Sequence, residues 1–263
     1  MRQYVSDCQP DKKGLLTVSG KDYRYMKQVL RLAVGDMLKV RLPDGRLQNT
    51  TVCRINESER SIVLQVCADT ETGQNQPQDL PELDMWLFQF VAKGSKMDAI
   101  VRQATECGVS TIVPVLGAYS QAGGGEKNFR SDRLLRIIKE ARQQSGSAMD
   151  TRILDAMPLE EALVLWKEEH GSAEDSFAAV LYERTEDTQA LHKAVAQKKI
   201  RHVALAVGAE GGISPEEILL FRQGGFVPLH FKTNILRCET AALYGIAALQ
   251  NAITEQNIWQ CRE

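Results

Sequence analysis

No stretch of this 263-residue chain approaches the roughly 20 consecutive apolar residues that a membrane-spanning helix requires, so a bilayer protein is not expected. The first residues, Met1-Arg-Gln-Tyr-Val-Ser-Asp7, lack the apolar core of a secretory leader, and the cytoplasm is the expected compartment. Paired cysteines are missing as well. The six, Cys8, Cys53, Cys67, Cys107, Cys238 and Cys261, are dispersed without a CxxC pair, and the four histidines stand singly. That scatter speaks against both a disulfide framework and a metal site. Also absent is the lysine that completes a phosphate-binding G-x-x-x-x-G-K loop. What remains is ordinary for a protein of one large or two smaller domains, with 43% hydrophobic and 25% charged residues.

The glycine-rich segment that is present reads Val207-Gly-Ala-Glu-Gly-Gly-Ile-Ser-Pro-Glu-Glu-Ile218. It follows Val203-Ala-Leu-Ala-Val207, a continuous apolar run suited to a buried central strand. Gly208, Gly211 and Gly212 permit a tight turn and close approach of a ligand to the backbone. Ser214-Pro215-Glu216-Glu217 then supplies an N-cap, a proline at the first helical position and a capping-box carboxylate, so a helix starts at about Pro215. Glu210 would repel a phosphate. A carboxylate there suits a hydroxyl donor or a cation, unless it is merely a solvated residue on a strand-to-helix turn.

A second segment, Asn234-Ile-Leu-Arg-Cys-Glu-Thr-Ala241, follows the apolar Val227-Pro-Leu-His-Phe231 and opens a helix apolar nearly all round. Both bends are expected at the C-terminal edge of one parallel sheet, where open α/β sheets bind ligands. Arg237, at the mouth of this helix, either pairs with a neighbouring carboxylate or faces an anionic substrate. Cys238, without a histidine close in sequence, reads as a small buried residue rather than a nucleophile. Glu239 reads equally as a helix-start carboxylate and as a proton acceptor.

The overall charge of −2 conceals an asymmetry: residues 1–68 carry five lysines and seven arginines against seven carboxylates, a net of +5, leaving −7 for the rest. This split suggests a polyanion-binding module joined to a more acidic body. In the basic part, 23–32 reads as a short helix, and 35–42, 47–55 and 61–66 as alternating strands around a turn at Asp44-Gly45, a small antiparallel β-barrel by pattern. Polar, turn-rich 69–82 reads as a linker. From 83 onward strands (85–92, 111–116, 178–183, 203–207) alternate with helices (97–107, 131–144, 158–169, 188–198), an α/β order with a mainly parallel sheet.

The two loops, together with Ala92-Lys-Gly-Ser-Lys-Met97, Gln103-Ala-Thr-Glu-Cys-Gly-Val109, Val113-Pro114, Arg133 and Glu140-Ala-Arg-Gln-Gln-Ser145, resemble the motifs of the SPOUT superfamily of RNA methyltransferases. The wording is similar to its 16S ribosomal RNA (uracil-N3) group over the chain as far as about Ala252. The resemblance implies a C-terminal trefoil knot, a homodimer, a PUA-like N-terminal barrel, S-adenosylmethionine as cofactor and ribosomal RNA of the 30S subunit as partner. Carried onto matching positions, it implies cofactor contacts at Gly208, Glu210, Gly211, Gly212, Phe231, Ile235, Leu236, Glu239 and Thr240. It further implies RNA contacts at Arg2, Arg24, Lys27, Arg31, Lys93, Lys96 and Arg133, and a catalytic role for Arg237 in stabilising charge on the uracil oxygens. Four positions depart from the pattern: Ala209, Lys232, Cys238 and Ser147 stand for proline, glycine, threonine and arginine. Other outcomes compatible with the residues are a methyltransferase acting on another RNA and a non-catalytic RNA-binding descendant.

Overall fold

The computed structural model describes residues 3–67, 83–120, 132–171, 174–184, 188–196 and 199–259. The expected linker 69–82 and Arg2 lie outside them. Two compact units emerge, one of Met1–Leu80 with Arg142–Ala148 and one of Pro81–Ala141 with Met149–Glu263.

In the smaller unit, strands β1 (Tyr4–Val5), β2 (Leu15–Ser19), β3 (Met37–Arg41), β4 (Leu47–Asn56) and β5 (Ser61–Val66) form one sheet in the order β1-β3-β4-β5-β2. All pairs are antiparallel except β1 with β3. The sheet curls over Leu16, Val18, Met26, Val40, Val52, Ile62 and Leu64, all buried. A bulge between Val52 and Arg54 lets the long β4 bend. The helix expected over 23–32 begins earlier, as α1 (Gly20–Arg24), and its second half, Tyr25–Val29, is wound as a wider π turn. There Leu30 N donates to Tyr25 O, 3.0 Å away, and Arg31 ends the winding in the left-handed region at φ 57°. A non-glycine residue seldom adopts that conformation, so the stop carries no sequence signal. Arg142–Ala148 is tied to this unit through Gln3, whose side chain donates to Arg142 O (3.1 Å) and Ser147 O (3.0 Å).

The larger unit is built on a parallel sheet of β6 (Asp84–Phe90), β7 (Thr111–Leu116), β8 (Arg152–Ile153), β9 (Met157–Pro158), β10 (Ser176–Leu181), β11 (His202–Val207) and β12 (Val227–Leu229). Its order is β12-β10-β11-β6-β7-β8, with β9 also pairing β7. Helices α2 (Ser95–Glu106), α3 (Asp132–Ser145), α4 (Leu159–His170), α5 (Leu191–Val195), α6 (Pro215–Gln223) and α7 (Cys238–Trp259) complete the unit. The expected helix over 188–198 is shorter, and the two-residue strands β8 and β9 were too brief to leave a period in the sequence.

Successive side chains of a strand point to opposite faces, and the central strands use this to build two cores. Met85, Leu87, Val203 and Leu205 pack with residues of α2, α3, α5 and α7. Trp86, Phe88, Phe90, Ala204 and Ala206 pack with α4 and α6. The connection after β10 therefore passes over one face and that after β11 over the other. Between two such strands the loops diverge and leave a crevice at the C-terminal edge.

Candidate active site

A cleft of about 320 Å³ opens at that crevice. Its walls come from the ends of β10 (Leu181 to Glu183), β11 (Val207 to Ile213) and β12 (Leu229 to Phe231), and from Thr233 to Leu236, Cys238 and Ala241. The volume lies within the range of small-ligand sites, about 300–1,000 Å³.

The first loop turns as its glycines predict. Gly212 has φ 78°, and its amide donates to Ala209 O at 3.0 Å. A Cβ on Gly208 would fall 2.9 Å from the carbonyl carbon of Gly212, so only glycine fits. The helix then starts at Pro215 with the full capping box: Glu217 N donates to Ser214 Oγ (3.2 Å) and Ser214 N to Glu217 Oε2 (2.8 Å). Glu217, nearly buried, also accepts from Ala118 N at 2.6 Å, which fastens the loop after β7 to the start of α6. Gln89 holds the strand side of the loop. Fully buried at the end of β6, it donates to Val207 O and Gly208 O, both at 3.3 Å. No motif singles Gln89 out; its only signal is a polar residue interrupting the apolar Met85–Phe90 run.

Glu210 lines the cleft, but its Oε1 is already engaged by Lys96 Nζ (2.8 Å) and Lys93 N (3.2 Å). Burial would raise its pKa; the Lys96 bond and backbone N–H groups outweigh burial and hold the carboxyl below its ordinary value. The bond to Glu210 correspondingly raises the Lys96 pKa. The motif 93–96 thus meets the first loop directly, a contact between segments far apart in sequence.

In the second loop Phe231 packs edge-on against Tyr244 of α7 with ring centroids 5.1 Å apart, while Lys232 is exposed and lies outside the lining. Ile235, an apolar side chain lining the cleft, is 91% exposed. Arg237 is exposed between the lining residues Leu236 and Cys238 and makes no ion pair among the described residues. Its carbonyl accepts from Ala241 N at 2.7 Å, opening α7. Cys238 is buried, and burial, followed by its bond to Glu239 and the Glu210 and Glu239 charges, pushes the thiol up to about 11. A thiol so rarely ionised at neutral pH is no nucleophile. Glu239 lies below its ordinary pKa, first because its own backbone N–H bonds it, and it accepts from Cys238 Sγ at 3.2 Å.

Of the expected cofactor contacts, Gly208, Glu210, Gly211, Gly212, Phe231, Ile235 and Leu236 line this one cleft; Glu239 and Thr240 stand just behind it at the start of α7. Tyr182, Glu183 and His230 also line it, supplied by β10 and β12 and marked by no motif. Among the expected RNA contacts, Arg24 and Arg31 are exposed, Lys27 pairs with Glu57 (3.3 Å), Lys93 is exposed and Arg133 pairs with Asp98.

Comparison with known proteins agrees with this geometry. Residues 79–250 match the RNA methyltransferase domain family. A ribosomal RNA small subunit methyltransferase E of Aquifex aeolicus is 30% identical over 76% of this chain and 80% of its own. Ribosomal RNA small subunit methyltransferase E 2 of Borreliella burgdorferi is 25% identical over 92% and 93%. Among solved structures, a ribosomal RNA small subunit methyltransferase E from Neisseria gonorrhoeae, bound to S-adenosyl methionine, superposes with a TM-score of 0.76 at 20% identity over 95% of this chain and 97% of that one. With the family match spanning most of its length and the loops after β11 and β12 forming one cleft, the chain belongs to the RNA methyltransferase family, in the ribosomal RNA small subunit methyltransferase E group.

Proposed function

We propose that this protein methylates N3 of a uridine in the 16S ribosomal RNA of the small subunit, with S-adenosylmethionine as methyl donor. The observation that carries the reading is the charge of the cleft. Its described lining includes two carboxylates, Glu183 and Glu210, and no lysine or arginine. Such a wall disfavours a nucleotide phosphate and suits a ligand bearing ammonium, sulfonium and ribose hydroxyl groups. Bound there, S-adenosylmethionine would supply an electrophilic methyl group on a sulfur that leaves with the bonding electron pair.

The protein's own task is orientation and charge stabilisation. Gly208, Gly211 and Gly212 bring the backbone close to the ligand, and Phe231, Leu236 and Ile235 give its adenosyl part apolar contact. Uracil N3 is a poor nucleophile until it gives up its proton, which leaves charge on the ring oxygens. Arg237, exposed and without an ion pair among the described residues, would stabilise that charge. Holding nucleophile and methyl carbon in line then supplies much of the acceleration.

The finer architecture belongs to the same proposal. Residues 1–68 act as a PUA-like barrel whose Arg2, Arg24, Lys27 and Arg31 hold RNA phosphates, 69–82 link, and 83–263 form the catalytic domain. A C-terminal knot is favoured by a strand order in which β12 lies beyond β10, so that the loops after β11 and β12 pass over one sheet edge. The nearly all-apolar α7, with Tyr244 exposed, favours a homodimer, and the action on ribosomal RNA places the protein in the cytoplasm. The test is methyl transfer from labelled S-adenosylmethionine to 30S subunits lacking the modification, followed by mass spectrometry of the labelled nucleoside. Recovery of 3-methyluridine is expected; label on a ribose or on another base overturns the reading.

A further inference from the structure

The opposite edge of the same sheet gathers a second set of reactive side chains. Asp84 opens β6, His202 opens β11 directly beside it in register, and His170 is the last residue of α4. Asp84 Oδ2 lies 3.3 Å from His202 Nδ1 and 3.5 Å from His170 Nε2, and the three ligand atoms all lie within 4.8 Å of one another. The two imidazoles lie nearly parallel, with centroids 4.5 Å apart and planes inclined by 23°, so the partly exposed His202 ring has to turn for the in-plane lone pairs of both rings to meet one ion.

Hydrogen bonding leaves this arrangement incomplete. His170 Nε2 is buried, and it makes no hydrogen bond among the described residues. An unsatisfied buried polar atom is costly, and this one lies within 4.8 Å of two other potential ligand atoms, where a shared partner would satisfy it. The other carboxylate oxygen is already fixed: Oδ1 accepts from Ser110 Oγ, and that hydroxyl also reaches Met85 O at 3.0 Å. A carboxylate steadied in this way presents Oδ2 to the two rings, as hydrogen bonds to the far oxygen of a ligating carboxylate orient it toward a metal. Trp86 and Trp166 pack against His170, with centroids 5.2 and 4.7 Å away, and hold its ring in place.

We propose that Asp84 Oδ2, His170 Nε2 and His202 Nδ1 form a binding site for a zinc-class divalent metal ion that cross-links β6, β11 and the end of α4. The donor set decides the class of ion. Two imidazole nitrogens and one carboxylate suit zinc, whereas magnesium and calcium prefer all-oxygen shells. Tetrahedral zinc with bonds of about 2.0–2.2 Å places neighbouring ligand atoms about 3.3–3.6 Å apart, the separations found around Asp84 Oδ2. Asp84 and His202 are each about one-third exposed, which gives an ion a way in from solvent. Nothing in the spacing of the four histidines announces the site; the strand register assembles it.

The test uses the full chain stripped of metal with EDTA, titrated with zinc chloride alone against a chromogenic zinc indicator, with magnesium chloride as control. One equivalent of zinc per chain is expected, with a rise in Tm that magnesium does not produce. His170→Gln and His202→Gln should each weaken zinc binding about tenfold or more and remove the rise, and Ser110→Ala should weaken it less. Circular dichroism of the metal-free variants confirms that they remain folded. Because free cysteines also bind zinc, cobalt is substituted in the unaltered chain: d–d bands without sulfur-to-metal charge transfer are expected. Unchanged zinc affinity in both folded histidine variants, or a cobalt spectrum dominated by thiolate charge transfer, overturns the proposal.

Discussion

At its C-terminal edge the parallel sheet of the larger unit opens a cleft lined largely by backbone and loop; at its N-terminal edge, Asp84, His170 and His202 converge as side chains from three separate elements. The first edge is an open cleft whose shape follows from contiguous glycines, a helix cap and a short apolar turn. The second is a packed corner in which Trp86 meets Trp166 and His170 edge-on and Trp166 lies tilted against His170, with the Arg152 guanidinium 5.2 Å from the Trp86 ring centroid. Parallel strands make this division natural. Every strand points its C-terminus, and the loop that follows, toward the same edge, so binding loops collect there and the other edge is left to stability.

Four perturbations would sharpen or break that contrast. The largest effect is expected at the packed edge. Trp166→Ala removes a nearly buried ring 5.6 Å from Trp86 and should cost about 3–5 kcal/mol in urea denaturation. Calorimetric affinity for S-adenosylmethionine should hardly change while the protein stays folded; an equal loss of affinity would show the two edges to be energetically one.

Arg237→Ala comes next. Removing a charge-stabilising donor should lower the methyl-transfer rate by about 10²–10³-fold. Cofactor binding should persist, since Arg237 lies outside the cleft lining. Wild-type turnover would take the arginine out of the mechanism.

A smaller effect is expected from Gly208→Ala, whose new Cβ would press on the Gly212 carbonyl carbon at 2.9 Å and distort the turn. Affinity for S-adenosylmethionine should fall about tenfold, equivalent to about 1.4 kcal/mol, and Tm should fall with it as the turn backbone is displaced. Retained affinity would mean that the ligand does not rest against this backbone.

The smallest change is expected from Glu210→Gln. The folded-state pKa of Glu210 is depressed, so its contribution to stability is present above the ordinary value of 4.5 and is lost as pH falls through the folded pKa. The variant should therefore show a flatter loss of Tm on acidification below about pH 4.5. Identical acid profiles would show that the Lys96 bond adds nothing to folding.

Local chemistry made the C-terminal edge readable. Ser214-Pro215-Glu216-Glu217 announced a helix start that the structure places at Pro215, and the expected strands at 61–66 and 111–116 match residue for residue. In each case the signal lies within a few neighbouring residues, where capping, alternation and turn preference act. Tyr182, Glu183 and His230 escaped notice because they enter the cleft by strand order, which a linear pattern does not encode. The winding at Tyr25–Val29 and its left-handed stop at Arg31 run against residue preference and are fixed by tertiary packing around Met26.

The sequence alone determined that this is an α/β chain with two turns after apolar strands, a basic N-terminal part and an arginine at the mouth of an apolar helix, because those properties reside in short stretches of chain. Only the tertiary structure decided that Lys96 would meet Glu210, that Gln89 would hold the first turn, and that Asp84, His170 and His202 would converge. Those meetings depend on which strands become neighbours and in what register, and that choice is made by burying both faces of the sheet at once rather than by any segment on its own.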